Sequence, residues 1–322
     1  MAAGSAWRDA LTEAELAELR RTDDLRGGLS VAFNWGLVAA SLALVAWLPN
    51  VFVVVLAICV IGARQLGFAI LMHEAAHRTL FETPALNEWV GNWLCAYPIW
   101  ADLAPYRLYH LKHHAKNWTE EDPDLGLATK YPVTKASMRR KIWRDLSGQV
   151  GWKRAKAELA RDLGQPEGTS TSATEVSFGK TAAEGTRAWE NLRGVLITNA
   201  ILLGILAALG HPELYGVWVA AWFTTYSLFT RIRSMAEHNM VRDRDDPLQN
   251  TRTILASWWE RLFIAPNRVN YHLEHHLAMT VPLYNLPRLH RVLAERRALD
   301  GALIQHGYLD LIRAAASKPV SA

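Results

Sequence analysis

The chain reads VFVVVLAICVIGARQLGFAILMHEAAH from Val51 to His77, an apolar run that ends directly in a histidine pair. The apolar part, Val51–Met72, is 22 residues long, and about 20 apolar residues suffice for a helix to cross a hydrocarbon core of about 30 Å. His73 and His77 are four residues apart, a spacing that puts two side chains on one face of a helix. The stretch therefore predicts a membrane-spanning helix with two imidazoles at one end.

Three further runs of 17 to 20 residues have the same apolar character: Leu29–Leu48, Gly194–Gly210 and Leu214–Thr230. Two short links, Pro49-Asn50 and His211-Pro212-Glu213, join the four runs into pairs, and both contain a proline that favours a turn over a continuous helix. The sequence predicts an all-α integral membrane fold with four transmembrane helices in two hairpins.

The distribution of cationic residues predicts the orientation of these hairpins. Neither link contains Lys or Arg, and every Lys and Arg except Arg64 lies outside the predicted spans, on the side of the two termini and the long middle segment. The positive-inside rule places that side in the cytoplasm. Arg64 itself is open to three interpretations, since an intramembrane cation can line a polar pocket, pair with an acid or snorkel to the interface.

Two five-residue boxes repeat one pattern, HxxHH, at His110–His114 and His272–His276. Both fall on the predicted cytoplasmic side, as do His73 and His77, and His238 follows the fourth run by about two turns of helix. Histidine is the commonest metal ligand, and eight imidazoles are too many for one four-coordinate zinc. We predict two neighbouring metals, with nine candidate ligands: His73, His77, His110, His113, His114, His238, His272, His275 and His276.

The spacing within a box also predicts the directions in which its histidine side chains point. His110 and His113, three residues apart, are expected to share one direction, while His114 points elsewhere, and the third box is expected to repeat this geometry. Three acids, Asp122, Asp124 and Glu237, are candidates to accept hydrogen bonds from the outer ring N–H groups of these histidines. The alternative interpretation makes them solvated caps and turn residues. The other three histidines, His211, His290 and His306, are expected to be surface or packing residues.

Spacing alone does not identify the metal, because imidazole suits several transition metals. His73-Glu74-Ala75-Ala76-His77 also matches HExxH, the signature of zinc proteases in which the glutamate is the general base. An intramembrane zinc protease is therefore one alternative, although it leaves both HxxHH boxes unexplained. A non-catalytic protein that stores or senses metal is another.

The remaining segments complete the predicted organisation around one membrane domain. Residues 1–28 form a cytoplasmic N-terminal segment and residues 29–322 a single domain. Three of its parts are expected on the cytoplasmic side or at the interface: an interfacial or re-entrant segment at 86–100, a cytoplasmic insertion at 131–190 and a helical cap at 231–322. Within the insertion, Arg139–Arg161 is expected to form a helix on the membrane surface and Gly164–Gly185 a mobile loop.

In this order around two hairpins, the HxxxH, HxxHH and HxxHH boxes resemble the integral-membrane fatty acid desaturase superfamily, from about Leu29 to Arg297. Two sequences at and after the third box, NYHLEHHL at Asn270–Leu277 and PLYNLP at Pro282–Pro287, are similar to those of bacterial acyl desaturases. One departure is Ser234, since some relatives have asparagine one helical turn before the histidine that matches His238. The superfamily also contains hydroxylases and carotenoid ketolases, and the boxes do not separate these activities.

The resemblance implies that the nine histidines bind two non-haem iron ions and that O2 is the co-substrate. It further implies a fatty acyl or acyl-lipid substrate in the membrane. No nucleic-acid partner is expected, since the net charge of +4 is too small to favour one. Electrons would come from a separate ferredoxin or cytochrome-type donor, since no cytochrome b5 segment is found in the sequence. The expected location is the bacterial inner membrane, with both termini and the metals on the cytoplasmic side.

Overall fold

Helices make up nearly all the regular structure of the computed structural model, which describes residues 6–164 and 188–319. The predicted mobile loop Gly164–Gly185 lies, apart from Gly164, outside these ranges. Before the gap, the helices in chain order are α1 (Ala6–Asp9), α2 (Glu13–Leu19), α3 (Asp24–Trp47), α4 (Val51–His77), α5 (Pro84–Val90), α6 (Leu103–Lys116), α7 (Leu125–Ala128), α8 (Lys135–Leu146) and α9 (Gln149–Asp162). A π-helical turn at Gly91–Ala96 and a 3-10 turn at Tyr97–Ile99 connect α5 to α6.

The second described range contains helices and one pair of short strands. Its helices are α10 (Ala188–Ala208), α11 (Leu214–Phe223), α12 (Thr225–His238), α13 (Trp258–Phe263), α14 (His272–Leu277), α15 (Leu286–Glu295) and α16 (Tyr308–Ala315), with a 3-10 turn at Pro266–Arg268. The strands β1 (Thr253–Leu255) and β2 (Ile304–His306) pair in parallel, with Thr253 opposite Ile304. This pairing ties the segment before the third histidine box to the segment after α15.

Three helices in the described ranges, α3, α4 and α10, are long and apolar enough to cross a membrane. They correspond to three of the four predicted runs. The fourth run, Leu214–Thr230, forms α11 and α12 instead of one helix, because the backbone leaves helical geometry at Thr224 (φ −114°, ψ −87°). The Thr224 hydroxyl donates a hydrogen bond to the Ala220 carbonyl at 2.6 Å, a back-bond that often bends helices. The exact number of spans therefore stays a prediction.

Helix α4 is the centre of the fold, since almost every residue from Ile61 to Ala76 is buried. It packs against α3 on one side and against α11, α12 and α6 on others. Gly62 permits a close approach of α12: a β-carbon there would lie 2.1 Å from Thr225 Oγ1 and 2.8 Å from the Tyr226 backbone nitrogen. The crossing of α4 and α12 thus brings the first histidine pair and His238 to the same end of the helix bundle.

Arg64 is buried within α4 and makes its contacts inside the protein. Its guanidinium donates to the Leu262 carbonyl and, at 3.3 Å, to Asn34 Oδ1 on α3. Asn34 in turn donates to Asn267 Oδ1 at 3.1 Å. Among the three earlier interpretations, the polar pocket fits these contacts, because the side chain is 1% exposed and its hydrogen bonds go to amide oxygens.

The basic stretch Arg139–Arg161 does not form the single surface helix predicted for it. It is divided into α8 and α9 at Gly148, whose φ of +79° is a left-handed conformation that glycine adopts without strain. Two buried contacts fix α8 and α9 to the bundle: Arg231 on α12 donates to Asp145 at 2.9 Å, and the Arg154 guanidinium lies 4.0 Å from the Trp222 ring centroid.

Candidate metal centre

The first histidine pair occupies the last two turns of α4. His73 is buried and His77 partly exposed, and their ring centroids lie 4.8 Å apart. The helix ends immediately afterwards, because Arg78 adopts a left-handed conformation (φ 61°) and its N–H caps the Ala75 carbonyl at 3.1 Å. The pair therefore lies at a helix terminus, with both rings free to face a neighbouring element.

The second box lies on α6, which begins at a cap in which Asp102 accepts the Ala104 N–H. Here His110 pairs with His114, not with His113: the ring centroids of His110 and His114 are 4.5 Å apart, against 6.0 Å for His110 and His113. The predicted directions within the box are therefore wrong. At about 100° per residue, a side chain four positions away is closer in direction than one three positions away.

The third box forms the short helix α14, and the same spacing governs it. His272 Nε2 and His276 Nε2 lie 3.1 Å apart, while the intervening His275 turns toward the second box, with its Nε2 atom 3.1 Å from His114 Nε2. His238, at the end of α12, brings its Nε2 atom to 3.2 Å from His113 Nε2 and 3.1 Å from His272 Nε2.

All nine predicted histidines come together in two adjoining groups. The potential ligand atoms within each of two sets lie within 4.8 Å of one another: His73, His77, His110, His114 and His275 in one, and His113, His238 and His276 in the other. His272 extends the second set through its contacts with His238 and His276. The groups touch, because the rings of His114 and His276 stack at 4.4 Å. Each group can hold a metal ion.

The spacing of the inward nitrogens fits metal coordination. Two imidazole nitrogens about 2.1 Å from one metal, at a right angle, would lie about 3.0 Å apart. The inward Nε2 pairs lie between 2.9 and 3.2 Å apart. Moreover, His73 Nε2 is buried and has no hydrogen-bond partner among the residues that the structure describes. A metal ion would satisfy these lone pairs, which otherwise face one another.

The outer nitrogens of four histidines have acceptors nearby. Nδ1 of His113 lies 2.8 Å from Asp122 Oδ1 and Nδ1 of His272 lies 3.4 Å from Glu237 Oε1. Nδ1 of His73 lies 3.2 Å from Glu74 Oε1, and Nδ1 of His238 lies 3.3 Å from the Asn250 carbonyl. Such acceptors place the proton on Nδ1 and leave the Nε2 lone pair available to a metal.

Asp122 has further hydrogen bonds that fix its position. Besides contacting His113, it accepts the backbone N–H of Trp118 at 2.9 Å and of Asp124 at 2.8 Å. Burial raises the pKa of Asp122, but the hydrogen bonds from His113 and the two backbone groups outweigh it and leave the pKa lowered. Asp124 is farther from the ring, with Oδ2 at 3.7 Å from His113 Nδ1, and it accepts the Tyr109 hydroxyl.

Sequence reasoning missed two partners. The Asn250 carbonyl that accepts from His238 is a backbone group, so no residue type marks it in the sequence. His290, expected on the surface or in packing, lies with Nδ1 2.6 Å from Glu274 Oε1. Glu274 is inside the third box yet faces away from the cluster, toward His290 and the Thr253 hydroxyl. The position of Glu274 inside the box was the only available signal.

A sequence profile of the family described as fatty acid desaturase matches residues 45–308 of this chain. The matched range includes all nine histidines of the two groups, α4 and both HxxHH boxes.

Individual relatives extend this match. The chain is 26% identical over 295 residues to the dihydrorhizobitoxine desaturase of Bradyrhizobium elkanii, covering 86% of this chain and 78% of that protein. It is 23% identical over 271 residues to the sn-1 oleoyl-lipid 12-desaturase of Anabaena variabilis, covering 78% and 70%. It is 22% identical over 294 residues to the chloroplastic omega-6 fatty acid desaturase of Brassica napus, covering 86% of this chain but 62% of that protein, so it spans under two thirds of the plant protein.

Proposed function

The chain belongs to the fatty acid desaturase family, and from this premise we propose that it is an O2-dependent membrane desaturase of fatty acyl chains. The observation that carries the proposal is the division of nine histidines into two touching groups of five and four. Two adjoining sites are what a pair of metal ions requires, and imidazole ligands suit iron. The proposed ligands are the nine histidines themselves, with Asp122, Asp124 and Glu237 as the acids that orient them.

The proposed reaction removes one hydrogen from each of two adjacent carbons. A CH2–CH2 segment, O2, two electrons and two protons give CH=CH and two waters. Two irons, when bound, would supply the activation of O2. The residues of this chain would hold the ions, fix the imidazole tautomers through outer acceptors and position the substrate. A separate ferredoxin or cytochrome-type donor would supply the electrons.

An acyl substrate agrees with the apolar helices α3, α4 and α10, which suit a lipid environment. The names of the relatives differ in substrate, however: two refer to fatty acyl or oleoyl-lipid desaturation and one to dihydrorhizobitoxine. An acyl-lipid substrate is therefore part of the proposal. So is a cytoplasmic position for the metal centre, which rests on the distribution of Lys and Arg.

The zinc protease alternative is disfavoured by the surroundings of Glu74. A general base must be able to reach a water and the substrate. Both Glu74 oxygens are already engaged: Oε1 lies 3.2 Å from His73 Nδ1, and Oε2 accepts the Thr79 hydroxyl at 3.0 Å and the Leu283 N–H at 3.1 Å. The residue is also 2% exposed. Its contacts are those of a carboxylate that holds the first box against the segment after the third.

Metal analysis and product analysis together test the proposal. Protein purified from iron-supplemented cells is expected to contain about two irons per chain, whereas about one zinc would favour the protease. Expression in a host with a native ferredoxin, followed by lipid profiling, is expected to reveal a new unsaturated species. An oxygenated product would instead assign the chain to the hydroxylases or carotenoid ketolases of the same superfamily.

A further inference from the structure

A small polar pocket of about 70 Å³ lies against the histidine cluster. Four cluster histidines form one wall, and Tyr106, Tyr109, Asp124, Thr230, Arg233, Ser234 and Glu237 contribute polar groups to the rest. Among its described lining residues only Leu127 and Ala128 are aliphatic. A hydrocarbon segment alone would leave these polar groups without partners, which is costly in a confined space.

Arg233 is the cation of this pocket, and much of its hydrogen-bonding capacity is unused. Its Nε atom lies 2.5 Å from Glu237 Oε1, the residue one helical turn later on α12. In the described part of the chain, no hydrogen bond is seen from its two terminal nitrogens. A guanidinium presents its donors as a planar fork that matches carboxylate and carbonyl oxygens.

The two acids of the pocket, in contrast, each lie against donor or cationic groups of the chain itself. Asp124 accepts the Tyr109 hydroxyl and faces His113, while Glu237 lies between Arg233 and His272. The group that remains to be satisfied is therefore a donor, the Arg233 fork. An oxygen acceptor is the complementary ligand group.

This donor lies close to the proposed metals. Glu237 Oε1 is 3.4 Å from His272 Nδ1 and 2.5 Å from Arg233 Nε, so one carboxylate separates the guanidinium from a cluster imidazole. An oxygen atom held by Arg233 would place only the first few carbons attached to it beside the cluster.

Two larger apolar cavities within the described ranges lie elsewhere. A cavity of about 400 Å³ is lined by α10, α11 and the turn before Trp100, and another of about 530 Å³ by α3, α10 and Leu214. Neither has a cluster histidine in its described lining. These two apolar cavities are therefore separate from the pocket that Arg233 shares with the histidines.

We propose that Arg233 binds the oxygen-bearing end of the substrate, a free carboxylate or the ester carbonyl of an acyl chain. The double bond is then introduced within a few carbons of that end and not in the middle of the chain. This inference rests on the proposed desaturase function and assigns Arg233 as its specificity-determining residue.

Mapping the double bond tests the inference separately from the function. Iron-loaded protein in membranes receives reduced ferredoxin and O2 with either palmitic acid or dipalmitoyl phosphatidylcholine, and ozonolysis with mass spectrometry locates the new bond. We expect it within a few carbons of the carbonyl, and the arm that reacts identifies a free carboxylate or an ester. A bond formed only in mid-chain overturns the inference but supports the function, and no unsaturated product in either arm overturns both.

A binding measurement tests Arg233 without turnover. Detergent-solubilised Arg233→Met is expected to bind radiolabelled palmitate about tenfold or more weakly than wild type, the usual effect of losing a charged hydrogen bond. Arg233→Lys keeps the charge but loses the fork, and we expect an intermediate affinity. Arg144→Met removes an exposed arginine of α8 and is the matched control, expected to bind as wild type. Wild-type affinity in both Arg233 variants, with unchanged iron content, would overturn the assignment.

Discussion

The repeated HxxHH motif divides its histidines between the two groups in opposite proportions. The second box gives His110 and His114 to the first group and His113 to the second. In the third box, His275 joins the first group, while His276 and, through its contacts, His272 join the second. One spacing used twice, on α6 and on α14, thus supplies three imidazoles to each group. This division gives a physical reason for the repeat.

Removing one histidine from either group is expected to abolish turnover. His113→Ala and His275→Ala should each lose iron, because a lost imidazole leaves the remaining ligands of that group to hold the ion. Iron per chain by elemental analysis, with acyl-chain profiling, measures the effect. His306→Ala changes an exposed histidine of β2 and is expected to retain both iron and activity. Near-normal iron and activity in His113→Ala would remove that residue from the ligand set.

Asp122 is expected to act through His113 and not on the substrate. Asp122→Asn keeps the side-chain shape but weakens the acceptor for His113 Nδ1, and loss of such an outer partner costs about 10- to 100-fold in metal affinity or activity. Iron retention during dialysis against a chelator measures this affinity. The neighbouring Glu121→Gln, at an exposed residue whose carboxylate contacts Lys116, is the control and should behave as wild type. Equal iron retention in the two variants would contradict the role of Asp122.

The sequence predicted the members of the cluster but not their contacts. Eight histidines could be named because a repeated HxxHH and an HxxxH have few structural explanations, and His238 because it follows the fourth apolar run by about two turns. All nine come together in the structure. The assignment of His113 and His114 to different groups follows from the helical repeat of about 100° per residue, which the prediction that paired His110 with His113 did not take into account. The sequence did not predict the role of the Asn250 carbonyl, which depends on the path of the chain beyond α12. Nor did it predict that of Arg233, which depends on the direction of one long side chain.

At the scale of the helices, the crossing of α4 and α12 at Gly62 determines how closely the first box approaches His238. Gly62→Val is expected to separate these helices, because a β-carbon would lie 2.1 Å from Thr225 Oγ1 and the helix backbone must move to relieve the contact. Overpacking of this kind costs about 1–3 kcal/mol. A lower unfolding temperature together with reduced iron content is the expected result.

The control for this substitution is Gly36→Val on α3. Gly36 is exposed and no atom lies within 4 Å of a β-carbon built there, so the variant tests the same change of residue without the crossing. A similar loss of iron in both variants would show that the effect comes from valine in a helix and not from the distance between α4 and α12.

A second contact between elements joins the N-terminal helix α2 to α15. Arg296 donates to Glu15 at 2.5 Å, and this hydrogen bond, with those from Thr12, lowers the pKa of Glu15 from 4.5 to about 2. Because the pKa of Glu15 is lowered in the docked state, its ionised carboxylate stabilises that state at pH values above the ordinary carboxyl pKa. This contribution is lost as the pH falls from about 4.5 toward 2. The difference in unfolding temperature between wild type and Glu15→Gln should therefore shrink across this range.

The exposure of the Glu15 pair adds a salt dependence to this prediction. The pair lies at the surface, so added salt should also reduce the difference by screening. Glu13→Gln, an exposed neighbour on α2, is the matched control. A difference that stays constant with pH and salt would mean that the Glu15–Arg296 ion pair does not help to dock α2.

Hydropathy predicted helices better than it predicted their interruptions. The runs that became α3, α4 and α10 are continuous, and their length and apolar character alone identified them. The break at Thr224 and the left-handed turn at Gly148 lie in segments whose composition suits a longer helix. The two breaks lie close together in the fold, since α9 meets the Phe223 backbone at Gly151, where an added β-carbon would lie 2.4 Å from the Phe223 carbonyl oxygen.

In the molecule as a whole, residues from four distant segments of the chain meet at one end of the helix bundle. The N-terminal helix α2, the ends of α4 and α12, and the C-terminal helices α14 and α15 all lie in contact there, as the bonds Glu18–Arg288 and Glu74–Leu283 show. The links Pro49-Asn50 and His211–Glu213 lie at the other ends of α4 and α11. This arrangement predicts that the cluster and both links face opposite sides of the membrane.

Thiol labelling of intact cells tests that orientation and the number of spans together. The native Cys59 and Cys95, both free thiols, are replaced by alanine, and single cysteines are placed at exposed positions: Pro49→Cys, Glu213→Cys, Arg144→Cys and His306→Cys. Because Lys and Arg favour the cytoplasm, a membrane-impermeant maleimide is expected to label the two link positions in intact cells and the other two only after lysis. Labelling of Pro49→Cys but not of Glu213→Cys would leave the second hairpin on the cytoplasmic side and reduce the spans to α3 and α4. Labelling of His306→Cys in intact cells would place the histidine cluster outside, beyond the reach of a cytoplasmic electron donor.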